Sequence, residues 1–152
     1  MGENIPLDSS CLRFRDRRST ISINENKSTY RLENDLKLKA GCYHVDGCLI
    51  KEGERCDFLL TLDELNACVL IELKGKDVEK AISQIKTTYL SFRRIMDSAF
   101  FGRIVTSATY GPVMDSNEVK RVKLLLKSSH GNLKIKSSPL EEKTSTLGKV
   151  PE

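Results

Sequence analysis

From Tyr43 onward, apolar and polar positions fall into short alternating runs separated by polar turns. Tyr43 to Ile50, Cys56 to Leu62 and Ala67 to Lys74 each read as a strand, with Lys51-Glu52-Gly53-Glu54 and Asp63-Glu64-Leu65-Asn66 as the turns between them. Short strands joined by such turns predict an antiparallel meander. The period then changes. Gly75 ends the third strand, Asp77 is a plausible helix N-cap, and Val78, Ile82, Ile85, Tyr89, Phe92 and Met96 recur at steps of four and three. That spacing predicts one apolar stripe on a long helix, with Lys80, Lys86 and Arg94 off it. Phe100 to Thr106 reads as a fourth strand. Asp115 and Glu118 form a capping-box pattern before a second helix, whose Val119, Val122, Leu125 and Leu126 point inward and whose Lys120, Lys123 and Lys127 point outward. Asn132 to Lys136 is a short last strand.

This order predicts an α/β fold: a mixed central β-sheet, built as a three-strand meander and then helix-strand-helix-strand, flanked by helices. The α/β domain is expected over 30–137. Before it, 1–29 is a polar segment, basic at Arg13, Arg15, Arg17 and Arg18, with alternation around Cys11 to Arg15 and Thr20 to Ile23 that suits edge strands. Tyr30 to Leu36 fits a turn of helix or a strand. After it, 138–152 is rich in Pro, Ser, Thr, Glu and Lys without periodicity and is expected to be a disordered tail.

A length of 152 residues suits one domain, and 39% hydrophobic with 30% charged residues lies in the globular range. No apolar run approaches the roughly 18 residues that a membrane span requires, and no signal-peptide core is evident, so the expected compartment is the cytosol. Five cysteines, an odd count without a CxxC pair, read as reduced thiols, Cys48, Cys56 and Cys68 among them in strands. Cys42 and His44 share one face of an extended segment, but the spacings match no compact zinc knuckle. With only His44 and His130, any multi-histidine mechanism is excluded. A net charge of +4 permits contact with phosphate backbones without demanding it.

The chemistry lies in Ile71-Glu72-Leu73-Lys74. Strand side chains alternate, so Glu72 and Lys74 project together at the end of an apolar run, where burial without partners is costly. A hairpin turning at 63–66 brings Asp57, at the start of the preceding strand, opposite that end. Two carboxylates offer hard oxygen ligands for Mg²⁺ or Mn²⁺. A lysine beside them suits the orientation of an attacking water and the charge developing on phosphorus. Asp57, the turn-containing connection, Glu72-Leu73-Lys74 and the helix that follows resemble the PD-(D/E)XK nuclease superfamily. The resemblance covers about 43–106. It implies a restriction-endonuclease-like core that cleaves DNA or RNA with a divalent metal. It further implies Asp57, Glu72 and the Leu73 carbonyl as metal ligands and Lys74 as the residue acting on water. Several branches carry a glutamine on the following helix, and Gln84 holds a similar place. Cys56 stands where the motif has proline. Glu33 and Asp46 are candidates for a further acid.

The expected partner is nucleic acid, DNA before RNA, with a homodimer or larger assembly where two strands are cut. The alternative is a catalytically idle protein of this fold, serving as a nucleic-acid-binding or protein-interaction module.

Overall fold

The computed structural model describes residues 7–25, 27–74, 77–107 and 116–148, with Lys74 described by its backbone alone. Along these residues run β1 (Leu12–Asp16), β2 (Thr20–Glu25), β3 (Ser28–Glu33), β4 (Ala40–His44), β5 (Phe58–Leu62), β6 (Ala67–Lys74), α1 (Val78–Phe92), β7 (Ala99–Thr106), α2 (Asn117–Ser128), β8 (Leu133–Ser137) and β9 (Leu140–Lys143). The strands form a six-stranded sheet in the order β1-β4-β5-β6-β7-β8 and a three-stranded sheet in the order β2-β3-β9.

The expected α/β architecture with a mixed sheet is present. β4, β5 and β6 pair as an antiparallel meander. A parallel neighbour cannot be reached by a tight turn. Accordingly β6 joins β7 through α1, and β7 joins β8 through α2, both pairings parallel. α1 starts at an Asp77 cap, whose carboxylate accepts the Lys80 N–H at 3.0 Å. Its stripe is buried as the spacing predicts, and Met96, beyond the helix end, completes it.

Each face of the six-stranded sheet carries its own core. On one side Cys68 and Leu70 of β6 and Ile104 of β7 pack with Ile82, Ile85 and Tyr89 of α1 and Val122 and Leu126 of α2. On the other, Val69, Ile71 and Leu73 of β6 pack with Ile21 and Ile23 of β2, Tyr30 and Leu32 of β3, and Leu140 of β9. β6 is thus covered on both faces, which explains why its sequence is almost continuously apolar.

Several expectations are corrected. Helices cover one face only; the small second sheet covers the other, because the alternating residues of β2 and β3 supply the apolar surface that a helix would have brought. Tyr30, whose surroundings fit a helix turn or a strand, lies in β3. The strand expected over Tyr43 to Ile50 is Ala40–His44, and the chain then turns at Gly47, whose φ of 78° is open to glycine at no steric cost. The segment expected as a disordered tail supplies β9, parallel to β3, and buries Leu140 and Leu147. Its four-residue strand is too short for a periodicity to show. Nor are the cysteines all reduced: Cys11 and Cys48 form a disulfide, with Cα atoms 5.7 Å apart. Cys42, Cys56 and Cys68 are free and buried, as expected for Cys56 and Cys68. Ser116 caps α2 by accepting the Val119 N–H at 3.2 Å; Asp115 lies outside the described residues. No helix among the described residues is long and apolar enough to cross a membrane.

Candidate functional site

Asp57 enters β5 at a local irregularity. Phe58 is paired with Ile71, yet the Asp57 N–H also donates to the Ile71 carbonyl, at 3.1 Å. Two residues therefore address one partner, the arrangement of a β-bulge, which re-aims the side chain at that point. The re-aimed Asp57 carboxylate accepts the Leu73 N–H at 2.8 Å. It therefore sits on the peptide that joins Glu72 to Leu73. Glu72 itself, in step with Cys68 and Leu70, belongs to the helix-covered face and is fully buried. Leu73 points into the opposite core.

Cys56, which precedes Asp57, is fully buried. Burial pushes its thiol well above the ordinary range, and the Glu72 carboxylate, then to a lesser degree that of Asp57, pushes it further. Both acids thus act on one sulfur. The Cys56 N–H donates to Thr88 Oγ1 at 2.8 Å, and Thr88 Oγ1 donates to the Gln84 carbonyl at 2.7 Å. Gln84 Nε2 donates to the Arg55 carbonyl at 3.1 Å. One face of α1 therefore holds the backbone of Arg55 and Cys56, just before Asp57, through Gln84 and Thr88. Thr88 is not among the residues that the sequence motif points to; its spacing of four from Gln84 on a helix is the signal that places both on one face.

Beside this point a cavity of about 360 Å³ is lined by Asp46, Gly53, Glu54, Arg55, Lys80 and Gln84. Asp46 is a wall of it and pairs with Arg55 at 2.8 Å. Glu33 is not brought to the site: it ends β3, in the sheet covering the opposite face. The Lys74 backbone lies at the end of β6 opposite Thr106. A larger cavity, about 670 Å³ and lined by Tyr89, Arg93 and His130, lies at the other end of the strands. Two of its polar side chains are engaged: Ser129 Oγ accepts the Phe100 N–H at 2.9 Å, and Asn66 Oδ1 accepts from Ser98 at 3.0 Å.

Asp57, Glu72 and the Leu73 carbonyl carry hard oxygen donors, the type that Mg²⁺ takes when one or two carboxylates bind it and water and substrate oxygen fill its shell. Among the described residues no group of three or more His, Cys, Asp or Glu side chains that could hold a metal ion is found. Cys42 is buried in the far core and His44 lies against the Phe58 ring, with centroids 5.0 Å apart.

The basic N-terminal patch is largely matched by acids. Arg15 pairs with Asp63, Arg17 with Glu64 at 2.6 Å and Arg18 with Asp16 at 2.9 Å. These are exposed pairs of small energetic worth; Arg13, on β1, lies over the Phe58 ring, 5.2 Å from its centroid. The described residues place the chain in the α/β class, with a mixed six-stranded sheet and two α-helices among them. No family model, curated protein or solved structure matches it.

Proposed function

We propose that this chain is a metal-dependent nuclease with a restriction-endonuclease-like core of the PD-(D/E)XK type. The observation that carries the reading is the Asp57 carboxylate held on the Glu72–Leu73 peptide at the carboxyl end of β6. Asp57, Glu72 and the Leu73 carbonyl would hold Mg²⁺ or Mn²⁺. When bound, such an ion supplies Lewis-acid polarisation of a phosphate and lowers the pKa of a coordinated water. Lys74 is assigned to the attacking water, to orient it or take its proton, and to the charge that develops at phosphorus. Gln84 acts as a positioning residue: by holding the Arg55 carbonyl it fixes the approach of Asp57. The substrate is nucleic acid, DNA before RNA, and cutting both strands of a duplex would require two copies of the site.

Cleavage of single-stranded, duplex and branched DNA and of RNA, with Mg²⁺ and with Mn²⁺, tests this reading against Glu72→Gln. Activity in the wild type and none in the variant supports it. Equal activity in both refutes catalysis at Glu72.

One observation favours a second reading, an idle protein of the same fold that binds nucleic acid or a protein partner. Glu72 is 0% exposed, whereas a reacting phosphate must come within a few ångströms of its carboxylate. Metal binding measured by calorimetry separates the two, because an idle site has no use for the cation.

A further inference from the structure

Charge is not spread evenly over this chain. Residues 116–137, which carry α2 and β8, hold six lysines and arginines against a single glutamate, a formal +5 in a chain whose total is +4. Arg121 pairs with Glu118 and Lys134 with Glu142. The other four, Lys120, Lys123, Lys127 and Lys136, are exposed and enter no ion pair among the described residues. On α2 the first three are spaced at three, four and seven residues, so they share one face, away from the buried Val119, Val122 and Leu126. Like charges so spaced weaken a helix unless an anion relieves them.

Lys123 and Lys136 also line a single groove of about 360 Å³ along β8, between α2 and β9, with Leu133, Ile135 and Leu140 as its apolar lining and with Lys134 and Glu141, which pair with Glu142 and Arg31. The groove is close to the candidate site. Lys136 is paired with Val105, and Val105 with Leu73, so two strand spacings, about 10 Å, separate Lys136 from the row of Leu73. One strand of a nucleic-acid duplex advances about 3.4 Å per nucleotide, so this is about three nucleotides.

We propose that the α2–β8 face is a nucleic-acid backbone track, binding phosphates through Lys120, Lys123, Lys127 and Lys136 to one side of the Asp57/Glu72 site. The partner class rests on the nuclease reading; the surface itself does not. An acidic protein fits less well, because a protein interface needs an exposed apolar anchor: Leu133, Ile135 and Leu140 are buried, and Leu124 is the one large apolar side chain exposed on α2.

The test is fluorescence anisotropy of labelled duplex and single-stranded DNA and of RNA, in EDTA, across a salt series. The full chain is compared with K123Q/K127Q/K136Q and with K27Q/K37Q/K39Q, which removes the same charge from exposed positions around the second sheet. Circular dichroism melting verifies that each variant is folded. The expected result is wild-type binding that weakens with salt, and at least tenfold weaker binding by K123Q/K127Q/K136Q at low salt. Its slope of log affinity against log salt should fall by about 3, roughly one for each phosphate that a lysine no longer neutralises. K27Q/K37Q/K39Q should bind within twofold of wild type. Absence of wild-type binding to every oligonucleotide overturns the proposal, as does an equal loss in both triple variants. Glu72→Gln separates the two readings: if it and the wild type bind alike but neither cleaves, the track stands and the nuclease reading falls.

Discussion

Arg103 Nε donates to a Glu142 carboxylate oxygen at 2.7 Å, and both side chains are almost wholly enclosed between the two sheets. Tyr30 donates to the same carboxylate at 2.7 Å, and Lys134 pairs with its other oxygen at 3.2 Å. Asn132 Oδ1 accepts from Arg103 at 2.8 Å. A charged pair this deep is tolerable only because nearly every donor and acceptor on it is used. It joins β7 to β9 and so fastens the chain's last strand onto its core.

Removing one partner leaves the other charge buried and uncompensated. Glu142→Ala is expected to cost about 3–5 kcal/mol in urea unfolding. The double change Arg103→Met with Glu142→Leu should cost clearly less than the two single changes together. Additive losses would show that the pair is not coupled.

Stability is expected to fall on acidification. Burial alone would raise the Glu142 pKa, but the Arg103 charge and the hydrogen bonds from Arg103 and Tyr30 outweigh it and hold it below the usual carboxylate range. Hydrogen bonds from Ser145 and Thr144 hold Asp35 at about 2. For a depressed carboxylate the stabilisation is present above the unfolded pKa and disappears as pH drops through the folded one. For Asp35 that window runs from 3.8 down to about 2. Urea midpoints at pH 7, 4 and 2.5 should decline in that order, and Asp35→Asn should show a shallower decline at the acid end.

The Cys11–Cys48 bond closes a sequence separation of 37 residues. Its removal in Cys11→Ser with Cys48→Ser is expected to lower stability by about 2–4 kcal/mol. Without reductant, thiol labelling of the native protein should be negligible, because Cys42, Cys56 and Cys68 are buried, and three thiols should react on unfolding. Five reactive thiols would mean that the bond does not form.

If the nuclease reading holds, Mg²⁺ or Mn²⁺ should raise the melting temperature of the wild type by binding the folded state. Glu72→Gln should lose that rise together with cleavage. Lys74→Ala should keep the metal-dependent rise and lose only cleavage, since its role is assigned to water and phosphate. A metal response that survives in Glu72→Gln would remove Glu72 from the ligand set.

Much of the fold was legible because it is local. The meander of β4, β5 and β6, the Asp77 cap and the apolar stripe of α1 each follow from residues within a few turns or strands of one another. The candidate site was legible in part for the same reason: Glu72, Leu73 and Lys74 are neighbours, and Asp57 is one hairpin away. Sequence spacing did not reveal that Asp57 enters through a bulge, nor that Gln84 and Thr88 would fasten its approach from the helix side.

What the sequence by itself determined is the periodicity, and with it the strands, the helices and their order. Tertiary structure alone decided what covers the second face of the sheet. β9 is four residues long and shows no period, and the alternation of β2 marks a strand without saying which face of the larger sheet it covers, so neither could be placed until the apolar surface of β6 required a cover. The Cys11–Cys48 pairing and the Arg103–Glu142 contact were hidden for one physical reason. Each joins residues more than thirty positions apart, and a free energy realised only when the chain closes on itself leaves no local pattern.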